Sequence, residues 1–168
     1  LVDTNLIISP PARVRWHHDL FGNSIAVATF ANRVNKLSIV SEITVEHYIE
    51  KLPEFGIEPY AQYFPFSYAA EDLPDLGITR DKHYSDPKHL LDAWVRKFIS
   101  PDSNGEIQTM DLLFDMTRTI QRDFNYQRRD TEGTRTPAET LSLGSGSCRD
   151  YALLLMEAAR TLGLAARF

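Results

Sequence analysis

The chain has 168 residues, 43% of them hydrophobic and 24% charged, with a formal net charge of −5. That is enough apolar material for a core in one ordinary domain or two small ones, and too acidic a balance for a broad nucleic-acid or anionic-lipid footprint. No stretch approaches the roughly 20 apolar residues of a membrane helix, and a single cysteine, Cys148, permits neither an internal disulfide nor a structural zinc site. The expectation is a protein of a reducing, cytoplasmic compartment, without nucleic-acid or membrane partners. Asp3 and Asn5 interrupt any apolar leader core at the start.

The first third reads as β. Val14 and Trp16 alternate with Arg13, Arg15 and His17; the turn residues 19–23 follow, and then a short apolar run over 25–30. This is the pattern of a hairpin with a loop longer than two residues. Over 37–50, Leu37, Ile39, Ile43, Val45 and Ile49 alternate with Ser38, Glu42, Thr44, Glu46 and Glu50. Successive strand side chains face opposite ways, so this predicts a strand with one wet face. The region is expected to be antiparallel and sandwich-like, a domain over 1–66. His47 falls on the apolar face, where a satisfied histidine is the simplest reading. His17 and His18 are adjacent on a strand and point to opposite faces, which argues against a shared metal ion.

Five prolines and several aromatics mark residues 52–87. Proline resists helix interiors and central strands, whereas the aromatics oppose a solvated tether. The reading is an ordered connection over 67–86, packed against one or both neighbours.

The remainder, 87–168, reads as helical. Ser85 or Asp86 can cap a helix with Pro87 in its first turn, and Leu90, Leu91, Trp94, Val95, Phe98 and Ile99 form one face. Pro101, Asn104 and Gly105 interrupt. A second helix over 109–124 buries Met110, Leu113, Met116, Ile120 and Phe124. Arg118, Arg122, Arg128, Arg129 and Arg135 are interleaved with Asp111, Asp115, Asp123, Asp130 and Glu132, as expected of ion pairs on a solvated face. Thr136-Pro137-Ala138-Glu139 has the spacing of a capping box and starts a short helix through Leu141.

The stretch with chemical content runs from Gly144 to Leu155. Gly144 and Gly146 allow a sharp turn. Ser147 can cap the next helix, with Asp150 favouring its positive end. That helix is expected to run to about Leu162, with Gly163 past its end, and to be largely buried. Cys148 therefore stands at a helix start, where free amides favour a negative charge and can hold an oxyanion. At exposed sites that field is worth about 0.3–1 kcal/mol, too little to ionise a thiol of ordinary pKa about 8.5. A partner such as a protonated imidazole has to supply the rest. Spacing by itself leaves an inert core cysteine equally open.

The runs Phe124-Asn125-Tyr126, Thr136 to Leu141, Gly144 to Ala152 and Arg160 to Phe168 resemble the start of the transglutaminase-like core, and the β region resembles the one that accompanies it in bacterial members. The resemblance implies an α+β fold: an antiparallel β-sandwich-like domain, then the helical half of a papain-like core. It implies that Cys148 is the nucleophile of a Cys-His-Asp site that forms a thioester with a protein or peptide amide, resolved by water or an amine. No cofactor or metal is implied. In the family the His and the acid follow the cysteine, yet only 20 residues follow Cys148, and His17, His18, His47, His83 and His89 all precede it. The expectation is a truncated catalytic core, inactive alone, with unmatched helix surface that leads either to self-association or to a looser structure than the composition promises. The rival expectation is a non-catalytic protein-interaction module of the same fold.

Overall fold

In the computed structural model, residues 3–47, 56–99 and 107–168 are described. The chain divides into two compact units, Leu1–Glu54 and Phe55–Phe168.

The first unit holds four strands: β1 (Asp3–Ser9), β2 (Arg13–His18), β3 (Ser24–Thr29) and β4 (Ser38–Thr44). They form two antiparallel ladders, β1 with β4 and β2 with β3. The hairpin stands where the turn residues predict it. The Asp19 carboxylate accepts from the amides of Phe21 at 2.8 Å and Asn23 at 2.9 Å, and Gly22 takes a φ of +78° that side chains rarely adopt. In the other ladder Ile8 lies opposite Ile39, and Thr4 opposite Ile43. The alternation of β4 is therefore expressed, but Ile39 and Ile43 both remain more than half exposed. The strand ends at Thr44, and His47 is exposed beyond it rather than set on an apolar face. Residues 48–50 of the expected strand lie outside the described residues.

The second unit carries β5 (Tyr63–Phe64), α1 (Leu73–Leu76), α2 (Leu90–Arg96), β6 (Ile107–Gln108), α3 (Thr109–Asp123), β7 (Asn125–Tyr126), α4 (Pro137–Leu143), β8 (Ser145–Gly146) and α5 (Cys148–Thr161). Strand β5 pairs antiparallel with β6, and β7 parallel with β8. Strands and helices together make the fold α+β. Residues 56–66 belong to this unit, although the sequence reading set them with the β-rich domain. Phe64 enters the main core, and the rings of Tyr60, Phe66 and Tyr68 meet edge to face at 5.9 and 5.2 Å. The Tyr68 hydroxyl accepts from the Ala165 amide at 2.7 Å. The aromatics thus bind the proline-rich stretch to the helical unit.

The core gathers Leu91, Trp94 and Val95 from α2, Leu112, Met116 and Ile120 from α3, and Leu154, Ala158 and Ala159 from α5. Burying a large apolar side chain is worth about 1.5–3 kcal/mol. Helix α2 starts later than its sequence suggests. A turn closed by the His89 amide on the Asp86 carbonyl comes first, so Pro87 precedes the helix. The Asp86 carboxylate then accepts from the amides of Leu90 and Leu91 at 2.9 and 2.8 Å. In α3 it is Leu112, rather than Leu113, that is fully buried. Residues 100–106, including the expected break at Pro101, Asn104 and Gly105, lie outside the described residues. No helix among the described residues is long and apolar enough to cross a membrane.

Helix α5 is the axis of this unit, packed against α2, α3 and α4. Its C-terminus closes on Gly163, at φ +83°: the Gly163 amide meets the Arg160 carbonyl at 2.9 Å, and the Leu164 amide meets that of Ala159 at 3.0 Å. Near that end lies a buried ion pair. Arg160 Nη1 donates to Glu157 Oε1 at 2.6 Å, and Arg160 also reaches the carbonyls of Thr79 and Ala166. The other Glu157 oxygen accepts from the His83 amide at 3.0 Å. One charged pair therefore ties α5 to segments that are distant in sequence.

Candidate active site

The start of α5 is built by three short segments that fasten one another. Thr136 and Glu139 form the capping box of α4: the Glu139 carboxylate accepts from the Thr136 amide at 2.9 Å, and the Thr136 hydroxyl accepts from the Glu139 amide at 3.3 Å. Gly144 ends α4 in the left-handed region, at φ +56°. The chain then runs as β8 beside β7, where the amides of Asn125 and Gln127 donate to the carbonyls of Gly144 and Gly146 at 2.9 and 2.8 Å.

Gly146 is required by a close approach. A Cβ there would stand 3.0 Å from Asp150 Cβ and 3.1 Å from the Tyr151 ring. The Tyr151 hydroxyl accepts from the Gly146 amide at 3.0 Å and donates to the Asn125 carbonyl at 2.6 Å. Its ring meets Phe124 edge to face at 5.9 Å. The aromatic pair ahead of the glycine turn thus helps to hold that turn.

Asp150 lies beneath the helix start and is fully buried. It accepts from the Ser147 amide at 2.8 Å, the Ser147 hydroxyl at 2.9 Å and the Arg135 amide at 2.7 Å, and Arg129 stands 3.6 Å away. Burial pushes its pKa up, but the donors from Ser147 and Arg135, with Arg129 behind them, hold it below the usual carboxylate range. The sequence marks Asp150 only as an acid in a first turn. Its buried role depends on Arg135, which is local neither to the helix nor to the cap.

Cys148 is the first residue of α5 and is exposed. It opens on a cleft of about 360 Å³ lined by Tyr126, Ser147, Arg149 and the loop 128–133. The alternative of a cysteine sealed in apolar packing is thereby removed. The walls are polar, and neither histidine of the same unit, His83 or His89, lines them. His17 and His18 are on β2, His47 follows β4, the His83 ring meets the Ile78 carbonyl at 3.1 Å, and the His89 ring pairs with Asp92 at 3.1 Å. Among the described residues no three His, Cys, Asp or Glu side chains are grouped to hold a metal ion.

The interleaved arginines divide in two. Arg118 with Asp115, Arg122 with Asp123 and Arg128 with Asp130 form exposed pairs, as their spacing predicts. Arg129 and Arg135 instead turn inward. Arg129 donates to the Gly133 carbonyl and stands beside Asp150, while its Nε is buried without a partner among the described residues. Arg135 donates to the Ser145 carbonyl at 2.9 Å. Both fasten the loop to the turn that carries the cysteine.

No curated protein and no solved structure matches this chain. Two family models do: that of the bacterial transglutaminase-like N-terminal region over residues 1–46, and that of the transglutaminase-like superfamily over residues 92–168. The second match contains the capping box, the glycine turn, Cys148 and the whole of α5. The two matches, in this order along one chain, support a bacterial transglutaminase-like protein.

Proposed function

We propose that Cys148 is the nucleophile of a cysteine enzyme acting on amide bonds of proteins or peptides, within a papain-like arrangement. The observation that carries this reading is the placement of the thiol: exposed, on a polar cleft, at the first residue of a 14-residue helix. There the free amides of the helix start face a developing negative charge. The thiolate attacks the amide carbon, the tetrahedral oxyanion collapses, and the C–N bond breaks as the leaving amine takes up a proton. The resulting thioester is cleaved by water, or by an amine in acyl transfer. Hydrolysis is favoured because the cleft is open and water competes as acceptor. A reducing, cytoplasmic compartment suits the single free thiol, and the two β ladders fit part of a sandwich.

Proton transfer to the amine and deprotonation of the thiol need a base, and no imidazole of the same unit lines this cleft. The reading therefore assigns the His and the acid to residues that these 168 do not supply, and leaves this chain inactive alone. The same observation favours a second reading, in which the cleft binds a protein partner and Cys148 does no chemistry.

Chemical rescue separates the two. The chain is incubated with an activated ester such as p-nitrophenyl acetate, with and without free imidazole, and the adduct is located by mass spectrometry. A nucleophile that lacks its base acquires an acetyl group on Cys148 faster than glutathione does in the same mixture, by a margin that imidazole widens, and Cys148→Ala loses it. Acetylation confined to lysines, with Cys148 untouched in both conditions, overturns the catalytic reading.

A further inference from the structure

Three guanidinium groups border the Cys148 cleft, and their partners distinguish them. Arg128 is paired with Asp130 at 3.2 Å. Arg129 is largely buried, donates to the Gly133 carbonyl and stands 3.6 Å from Asp150. Arg149 is exposed and has no hydrogen bond or ion pair among the described residues. Of the two acids on the cleft wall, Asp130 is occupied by Arg128, and Glu132 has no cationic partner among the described residues.

The two unspent charges are therefore Arg149 and Glu132, and position decides between them. Arg149 directly follows Cys148 in the first turn of α5, whereas Glu132 belongs to the 128–133 loop. Arg149 thus brings an unpaired guanidinium to the cleft that the sulfur lines, at a helix start whose free amides also favour an anion. This holds in a chain whose overall charge is −5. A guanidinium presents a rigid fork of donors that matches a carboxylate in two parallel bonds.

We infer that Arg149 is the specificity-determining residue of this cleft, and that it selects an amide substrate carrying a carboxylate close to the scissile bond. The inference rests on the reading of Cys148 as the reacting group. Arg149 holds the carboxylate while the neighbouring sulfur faces the amide carbon. Arg129, with a buried Nε that lacks a partner, backs the same wall.

The test needs no turnover. Cys148 in the whole chain is alkylated at low ionic strength with iodoacetate, which is anionic, and with iodoacetamide, which is neutral and of similar size. Both displace iodide by the same thiolate, so the ratio of their rates cancels the thiolate fraction and reports the local field. A cation beside the sulfur raises that ratio; Arg149→Gln lowers it by about threefold and Arg149→Lys retains most of it, the difference shrinking as salt is added. A ratio unchanged in Arg149→Gln overturns the inference while leaving the thiol's reactivity intact. Failure of both reagents to label Cys148 sinks the reading of the site itself, so the two failures are distinguishable.

Protection of Cys148 from iodoacetamide then locates the carboxylate. The probes are N-acetyl-Ala-Glu-amide, N-acetyl-Ala-Ala with a free C-terminus, and neutral N-acetyl-Ala-Ala-amide. Protection by the first assigns the carboxylate to a side chain, and protection by the second to a chain end. Equal protection by all three overturns the inference.

Discussion

The two units use the same kinds of apolar side chain and bury them to different extents. In the second unit Leu112, Met116 and Leu154 are at most 1% exposed, whereas in the first Ile39, Ile43 and Val45 are 58%, 60% and 67% exposed. None of the described residues between 3 and 47 is buried. Each ladder of the first unit has two strands, and a two-stranded sheet has no second layer of its own to cover its faces. Helix α5 is surrounded by α2, α3 and α4, so apolar side chains on several of its faces find partners. Alternation along a strand therefore says which residues share a face, while burial depends on what that face meets.

The sharpest way to break this contrast is to remove a charge from the helical unit. Glu157→Gln leaves Arg160 buried without its counter-charge and loosens the His83 amide. The expected loss is about 3–5 kcal/mol, read as a lower urea midpoint of the helical signal, with the β hairpin unaffected. A loss below about 1 kcal/mol would mean that the pair is more hydrated than its burial implies.

Asp150→Asn should cost less, about 1–3 kcal/mol, because the amide oxygen still accepts from the Ser147 donors that bind Oδ2, while the Arg135 amide on Oδ1 loses its acceptor. Its pH signature is directional. The folded pKa of Asp150 lies below the unfolded value, so its contribution is present above the ordinary carboxylate range and is lost as pH falls through the folded pKa. Stability of the parent should decline across that acid window more steeply than that of Asp150→Asn. Parallel declines, measured by thermal unfolding at stepped pH, would remove Asp150 as the titrating group.

The smallest effect is expected in the first unit. Ile43→Ser, at a position 60% exposed, should change stability by no more than about 0.5 kcal/mol. A loss of several kcal/mol there would show that β4 is covered in solution, and would erase the contrast between the units.

Much of the site's framework was legible without coordinates. The capping box at Thr136, the acid of the first turn at Asp150, and Gly163 past the end of α5 are local devices, satisfied by groups a few residues away. The same holds for the hairpin around Asp19. Burial of Asp150, Glu157 and Arg160 was not legible. Their partners at Arg135, His83 and Thr79 lie 15, 74 and 81 residues away in sequence. The one sequence signal was the presence of Glu157 and Arg160, spaced i,i+3, beyond the long apolar run of α5. The expected limit of the β-rich region, at residue 66, passed over Phe64, whose ring is claimed by the helical core.

By itself, the sequence determined where α3, α4 and α5 begin, and that its one thiol opens a capped helix behind a glycine turn. Those features depend on backbone groups and side chains within a few residues of one another. The tertiary structure alone decided that the thiol faces a cleft, that Asp150 is buried beneath it, and that one arginine on the wall has no partner among the described residues. Such outcomes depend on which distant segments arrive to satisfy or exclude each group, and no local pattern encodes that arrival.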